Sequence, residues 1–287
     1  MKLILFAYND IGYVALKTLH EMGHEICAVF THPDDPKENV WFRSVRQLAE
    51  ILKIPVFDPD NINDTEWIKK IKNYQPDALF SFYYRKMICD NILTIPPKGA
   101  FNLHGSLLPK YRGRVPIHWA IIHGEKETGL TLHFMVKKPD AGDILAQKKV
   151  TIEEDDTALS VYQKLVPLTQ KILLKTIPQI EKGTFDRTPQ NPTFATYFSG
   201  RKPEDGKINW NQTNKQIYNL IRAVTHPYPG AFTEWEGKKM IIWKAKKIPL
   251  KTNEKPETRL SKNPFIIACG QGAIEILEHE IVNLNIK

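Results

Sequence analysis

Residues 2–32 read KLILFAYNDIGYVALKTLHEMGHEICAVFTH, and the fold class follows from this stretch. KLILFAY (2–8) is short and almost uniformly apolar, as expected of a strand buried on both faces. Asn9 and Asp10 make a turn. IGYVALKTLHEMG (11–23) then spaces its apolar residues as a helix does and closes on Gly23, a helix-stop signal. HEICAVFTH (24–32) is a second buried strand. Strand, helix and strand in this order make one βαβ unit.

The unit recurs downstream. SVRQLAEILK (44–53) fits a helix with Ser44 as its N-cap, IPVFDP (54–59) a strand, TEWIKKIKNY (65–74) a helix and DALFSFYY (77–84) a strand. GAFNLHGSLLP (99–109) is a strand running into a loop. This alternation predicts an α/β fold with a doubly wound, mostly parallel sheet. Such sheets take ligands at the carboxyl ends of their strands. After residue 125 the pattern changes. TGLTLHFMV (128–136) alternates like a strand with one exposed face, and KKPDAGDILAQKKVTI (137–152) gives a turn and another strand. Residues 157–182 have a helical period, with Pro167 and Pro178 marking breaks or kinks. Gly183, Pro189, Pro192, Gly200, Pro203 and Gly206 mark 183–207 as a connector. A helix near 213–224 and several short β-type runs follow. Two domains are therefore expected, 1–199 including the connector and a smaller β-rich domain at 200–287.

Composition narrows the function classes. The chain has 287 residues, 42% hydrophobic and 25% charged, which excludes a disordered or collagen-like protein. No apolar run approaches the roughly 18 residues of a membrane span. The apolar run after Met1 is too short for a signal peptide and lacks a cleavage site. Cys27, Cys89 and Cys269 are widely spaced and odd in number, which argues against a disulfide framework and for the reducing cytoplasm. The formal charge is +8, and residues 200–287 carry 15 Lys/Arg against 9 Asp/Glu. That excess fits either a polyanionic partner or a solvated lysine-rich surface. AYNDIG (7–12) stands where a G-x-G-x-x-G dinucleotide fingerprint would be, so a nicotinamide cofactor is not expected.

The chemistry-bearing stretch is GAFNLHGSLLPKYRGR (99–114). Strand alternation puts Asn102 and His104 on one face, where an amide and an imidazole can hold an oxyanion and move a proton. Alone, such a polar pair closing a strand is structural more often than catalytic. Asp140, in a Pro-Asp-Ala-Gly turn, either caps that turn or lies beside His104, where a carboxylate would favour the imidazolium and fix its tautomer. Asp143 is a rival for that place. Lys110, Arg112 and Arg114 form a basic set in a glycine-containing loop, suited to phosphate or carboxylate recognition or simply solvated. His118, His123 and His133 lack metal-ligand spacing and read as ordinary histidines, so no metal is expected.

These residues carry a resemblance. FNLHGSLLPKYRGRVPIHWAI, GEKETGLTLHFMV and PDAGDILAQ are similar to the formyltetrahydrofolate-dependent formyltransferases. GRKPEDGKINW, IRAVTHPYPGAF and IIACGQGAIEIL resemble the connector and C-terminal domain of the family's larger members, so the likeness covers nearly the whole chain. It implies a Rossmann-like catalytic domain followed by an OB-like barrel. It implies 10-formyltetrahydrofolate as co-substrate, with Asn102 as oxyanion stabiliser, His104 as acid/base and Asp140 as its orienter. The folate is expected along Lys86, Met87, Ile88, Arg114 and the Val136, Lys137, Lys138, Pro139 and Asp140 turn, and the acceptor near Lys110, Tyr111 and Arg112. FAYNDIGYVAL, VFTHPDDP and FSFYYRKMI resemble the branch that formylates UDP-4-amino-4-deoxy-L-arabinose, a reaction of lipid A modification and polymyxin resistance. The acceptor implied is thus a nucleotide-linked amino sugar. The nearest alternative is methionyl-tRNA, favoured by the basic C-terminal part. Against it, 31–43 (THPDDPKENVWFR) carries three acidic residues where a tRNA-gripping insert is basic. Glycinamide ribonucleotide formylation ranks third, and a non-catalytic binding protein on the same fold remains a separate class.

Overall fold

The computed structural model describes residues 1–33, 40–250 and 253–283. It divides into two compact units whose segments interleave along the chain. The first comprises Met1–Gly113, Gly129–Val150 and Gln163–Tyr197, and the second Arg114–Thr128, Thr151–Tyr162 and the chain from Phe198 onward.

In chain order the elements of the first half are β1 (Lys2–Ala7), α1 (Asn9–Glu21), β2 (Glu25–Phe30), α2 (Val45–Ile51), β3 (Val56–Phe57), α3 (Thr65–Tyr74), β4 (Ala78–Phe82), α4 (Asp90–Leu93) and β5 (Ala100–His104). Then come β6 (Arg112–Gly113), α5 (Pro116–Ile122), β7 (Glu127–Phe134), β8 (Ile144–Thr151) and α6 (Ala158–Lys182). The main sheet runs β3-β2-β1-β4-β5-β7-β8. β1 pairs in parallel with β2 and β4, and β5 continues parallel to β4. β7 then reverses the direction against β5. Phe6, Phe30, Phe80 and Phe101 are fully buried and stack across these strands. Each such burial stabilises the fold by about 1.5–3 kcal/mol.

The anticipated βαβ pattern is present, and its local signals are visible. Ser44 Oγ accepts from Gln47 N at 3.3 Å and caps α2. Gly23, at φ +81°, turns the chain out of α1. Gly12 lets α1 press onto the end of β1, where a Cβ would stand 3.1 Å from the Ala7 carbonyl carbon.

Two sequence expectations change. β7 was expected to expose one face, yet every residue from Thr128 to Phe134 is buried. It lies inside the sheet between β5 and β8, so Thr131 and His133 face an internal network rather than water. Thr131 Oγ1, for example, donates to Ser106 O at 2.6 Å and accepts from Leu108 N at 3.1 Å. The second change concerns α6, which runs unbroken through Pro167 and Pro178 over 25 residues. Its apolar face, including Leu165, Ile172, Leu173 and Ile177, is fully buried, and that packing outweighs two lost backbone bonds.

The remaining elements are β9 (Tyr197–Phe198), α7 (Asn214–Val224), β10 (Ala231–Trp235), β11 (Lys238–Ile248), β12 (Arg259–Ser261), β13 (Ile266–Ala268) and β14 (Ala273–Val282). Thr213 and Gln216 form a capping box at the start of α7. The second unit holds a five-stranded antiparallel sheet in the order β10-β11-β14-β13-β12. Its strand count is that of an OB-like domain. Among the described residues, no helix is long and apolar enough to cross a membrane.

Candidate active site

β5 carries Asn102 and His104 on one face, and the register of β7 sets His133 directly across from Asn102 and Thr131 across from His104. The turn after β7 brings Asp140 to the same place. Asp140 Oδ1 lies 3.5 Å from His104 Nδ1, 3.5 Å from His133 Nε2 and 3.3 Å from Asn102 Nδ2. Its Oδ2 accepts from Gly113 N at 2.8 Å. One carboxylate thus gathers two imidazoles, an amide and a backbone N–H.

The partners assign the tautomers. A carbonyl oxygen only accepts, so His104 Nε2, 2.8 Å from Tyr111 O, carries a hydrogen. Nδ1 is then the nitrogen that faces the Asp140 carboxylate. His133 Nδ1 donates to Phe134 O at 2.7 Å, and its Nε2 stands between Asn102 Nδ2, at 3.2 Å, and Asp140 Oδ1, at 3.5 Å. Burial pushes the Asp140 carboxyl up, but His104, His133 and the Gly113 N–H outweigh it and hold the group well below the usual carboxylate range. Asp140 is therefore an anion in this site.

Local backbone makes the convergence possible. Asp140 adopts φ +53°, a left-handed conformation that Asp tolerates better than most residues. Gly142 sits so close to β7 that a Cβ there would collide with the Phe134 carbonyl oxygen.

Other anticipated residues fall differently. Asp143 turns to Arg187, with Oδ2 3.2 Å from Nε, and does not join the cluster. Lys86 Nζ donates to the carbonyls of Pro59 (2.5 Å) and Asp60 (2.8 Å). Met87 is 60% exposed, whereas the Ile88 side chain is buried in the core, so Ile88 could meet a ligand only through its backbone. Val136, Lys137, Lys138 and Pro139 are exposed. The basic set is not one cluster. Lys110 is exposed, Arg112 is only 3% exposed and donates to Gln190 Oε1, and Arg114 belongs to the second unit. Tyr111 contributes its carbonyl to His104 and its side chain is buried. Residues 34–39 of the acidic 31–43 stretch lie outside the described residues.

Sequence reasoning passed over His133. The available signal was the period of two in Thr131 and His133, which repeats that of Asn102 and His104. Without the pairing register nothing linked the two strands. Among the described residues no group of three or more His, Cys, Asp or Glu side chains could hold a metal ion.

Residues 2–177 match the family described as Formyl transferase, and residues 201–284 match Formyl transferase, C-terminal domain. The chain belongs to the formyl transferase family. Among solved structures it is similar to an N-formyltransferase from Helicobacter canadensis in complex with folinic acid and dTDP-3-aminofucose. The TM-score is 0.76 at 23% identity, covering 98% of this chain and 100% of the other. It is similar to WlaRD, a sugar 3N-formyl transferase solved with dTDP and 5-N-formyl-THF, with TM-score 0.70, 23% identity and 99% and 98% coverage. Methionyl-tRNA formyltransferase from Clostridium thermocellum gives TM-score 0.60 at 18% identity, with 99% and 100% coverage. At these identities the likeness to formyl transferases of different acceptors is one of fold.

Proposed function

We propose that this protein transfers the formyl group of 10-formyltetrahydrofolate to the primary amine of a nucleotide-linked amino sugar in the cytoplasm, with UDP-4-amino-4-deoxy-L-arabinose the first candidate acceptor. The reading is carried by one observation, the Asp140 carboxylate, 13% exposed, gathered against His104, His133 and Asn102. Two structural neighbours, solved with a folate and a dTDP species, support the substrate class.

The neutral amine attacks the formyl carbon and makes a tetrahedral centre with an anionic oxygen. Asn102 donates an amide hydrogen to that oxygen. Its present contacts, 3.2 and 3.3 Å, are long, so releasing one is cheap. The attacking nitrogen gives a proton to His104 Nδ1 as the N–C bond forms. His104, protonated on Nδ1 and stabilised by Asp140, gives a proton to folate N10 as the N10–C bond breaks. The net change moves one formyl group and one proton in opposite directions. The exposed Lys137 and Lys138 suit the carboxylates of a folate glutamyl tail, and the Lys86–Ile88 backbone completes the folate set. Lys110, Tyr111 and Arg112 belong to the acceptor side, the buried Arg112 acting through its neighbours.

The test is a panel of UDP- and dTDP-linked amino sugars and Met-tRNA with 10-formyltetrahydrofolate, following tetrahydrofolate release. Turnover of a nucleotide sugar supports the proposal. Turnover of Met-tRNA alone moves the assignment to the RNA branch, and binding of both ligands without transfer marks a non-catalytic protein.

A further inference from the structure

The connector that the sequence marks at 183–207 takes no part in the chemistry above, yet Gln190 stands at the centre of a bracket behind Asp140. Gln190 Nε2 donates to the carbonyl oxygens of Asp140 (2.9 Å) and Gly142 (2.7 Å). Its Oε1 accepts from Arg112 Nε (3.0 Å) and Nη2 (2.6 Å). A side-chain amide has two donor hydrogens and one acceptor oxygen, and all are used here. Arg112, 3% exposed, also donates to the Tyr197 hydroxyl. A guanidinium so deeply buried needs such partners.

The bracket is anchored on both sides. Thr188 exchanges backbone hydrogen bonds with Ile144 at 2.8 and 2.9 Å. Thr196 O accepts from Arg112 N at 2.9 Å, and Thr196 Oγ1 accepts from Tyr111 N at 2.8 Å. The turn it holds carries Asp140 at φ +53°, and left-handed backbone costs a non-glycine residue about 1–2 kcal/mol unless its surroundings enforce it. Arg112 in turn lies between Tyr111, whose carbonyl orients His104, and Gly113, whose N–H holds Asp140 Oδ2.

We propose that Gln190, working with Arg112, is a positioning residue for formyl transfer. It locks the Asp140 turn to the loop that orients His104 and touches neither substrate. This rests on the reading of Asp140 as the partner of His104.

The test is steady-state kinetics on the full chain with 10-formyltetrahydrofolate and the best amino-sugar nucleotide of the panel. The variants are Gln190→Met, Asp140→Ala and the two combined. Displacing a reacting group by an ångström costs on the order of 10²-fold. Gln190→Met is therefore expected to lower kcat by about that factor with KM for both substrates little changed, and to add nothing in the Asp140→Ala background. Full kcat in Gln190→Met beside an inactive Asp140→Ala, or losses that multiply in the double variant, overturns the bracket alone. Wild-type turnover by Asp140→Ala removes the underlying reading, and the bracket with it. Gln190→Glu keeps the acceptor for Arg112 and loses both donors, so it replaces Gln190→Met if that variant does not fold. It is expected to lose the same activity, and wild-type kcat in it overturns the proposal.

Discussion

Asp140 carries the most demanding chemistry of any single residue in this protein, an anion only 13% exposed and surrounded by four donors or potential donors. Its folded-state pKa lies below that of the unfolded chain. The resulting stabilisation is complete above about pH 4, the unfolded value, and is lost as pH falls through the folded value. The stability difference between wild type and Asp140→Asn is therefore expected to shrink by on the order of 1–2 kcal/mol between about pH 4 and pH 2, measured by denaturant unfolding. A constant difference across that range would show that the carboxylate is not held this way. For turnover, Asn102→Ala is expected to cost about 10²–10³ in kcat, as loss of an oxyanion donor does. His104→Ala is expected to cost about 10²–10⁴, as loss of a general acid does. Single-turnover formyl transfer measures both, and near-wild-type rates in His104→Ala defeat the assignment. At this scale the sequence exposed Asn102 and His104 through strand alternation and Asp140 through its turn. From the residues alone Asp143 stayed the less favoured rival of Asp140, because three residues of separation in a turn carry no direction; the family resemblance named Asp140, and the Arg187 contact turns Asp143 away.

At the scale of elements, β7 shows how pattern and position can disagree. Alternation in TGLTLHFMV is real, but Thr131 and His133 face a buried network because β5 and β8 flank the strand. The same burial dictates the tolerance of the turn that follows. Gly142→Ala would drive a Cβ into the Phe134 carbonyl oxygen, so a loss of about 1–3 kcal/mol is expected, read as a lower thermal midpoint. Because Gly142 O is also a Gln190 partner, kcat should fall in the same variant. An unchanged midpoint would mean the turn has room that the structure denies it. The start of α2 was legible at this scale, since Ser44 caps it as its chemistry says it should; that of α1 was not, because Asn9 and Asp10, read as a turn, are its first two residues. The continuity of α6 was not, because the buried face that sustains the helix despite its two exposed prolines packs against distant partners, which the helix's own sequence does not name.

At the scale of the whole molecule, charge separates the acceptor classes. A chain of +8 that gripped tRNA through six or more phosphates would lose about 10³–10⁵ in affinity between about 50 and 200 mM salt. Formylation of a nucleotide sugar should change far less over that range. A steep salt dependence of kcat/KM for the amino sugar would count against the proposed acceptor. The α/β class and the sequence of strands and helices were determined by the sequence alone, because hydrophobic period and capping chemistry act over a few residues of chain. So was the family, whose motifs lie on contiguous segments. The tertiary structure alone decided the entry of His133 into the site, the exclusion of Asp143, the burial of Arg112 and the bracket through Gln190. Each depends on pairing register or on contacts between segments 30 to 80 residues apart, as in Asn102 with His133 and Arg112 with Gln190. Such contacts are set by which surfaces pack together once the sheet has formed, and no local pattern encodes them.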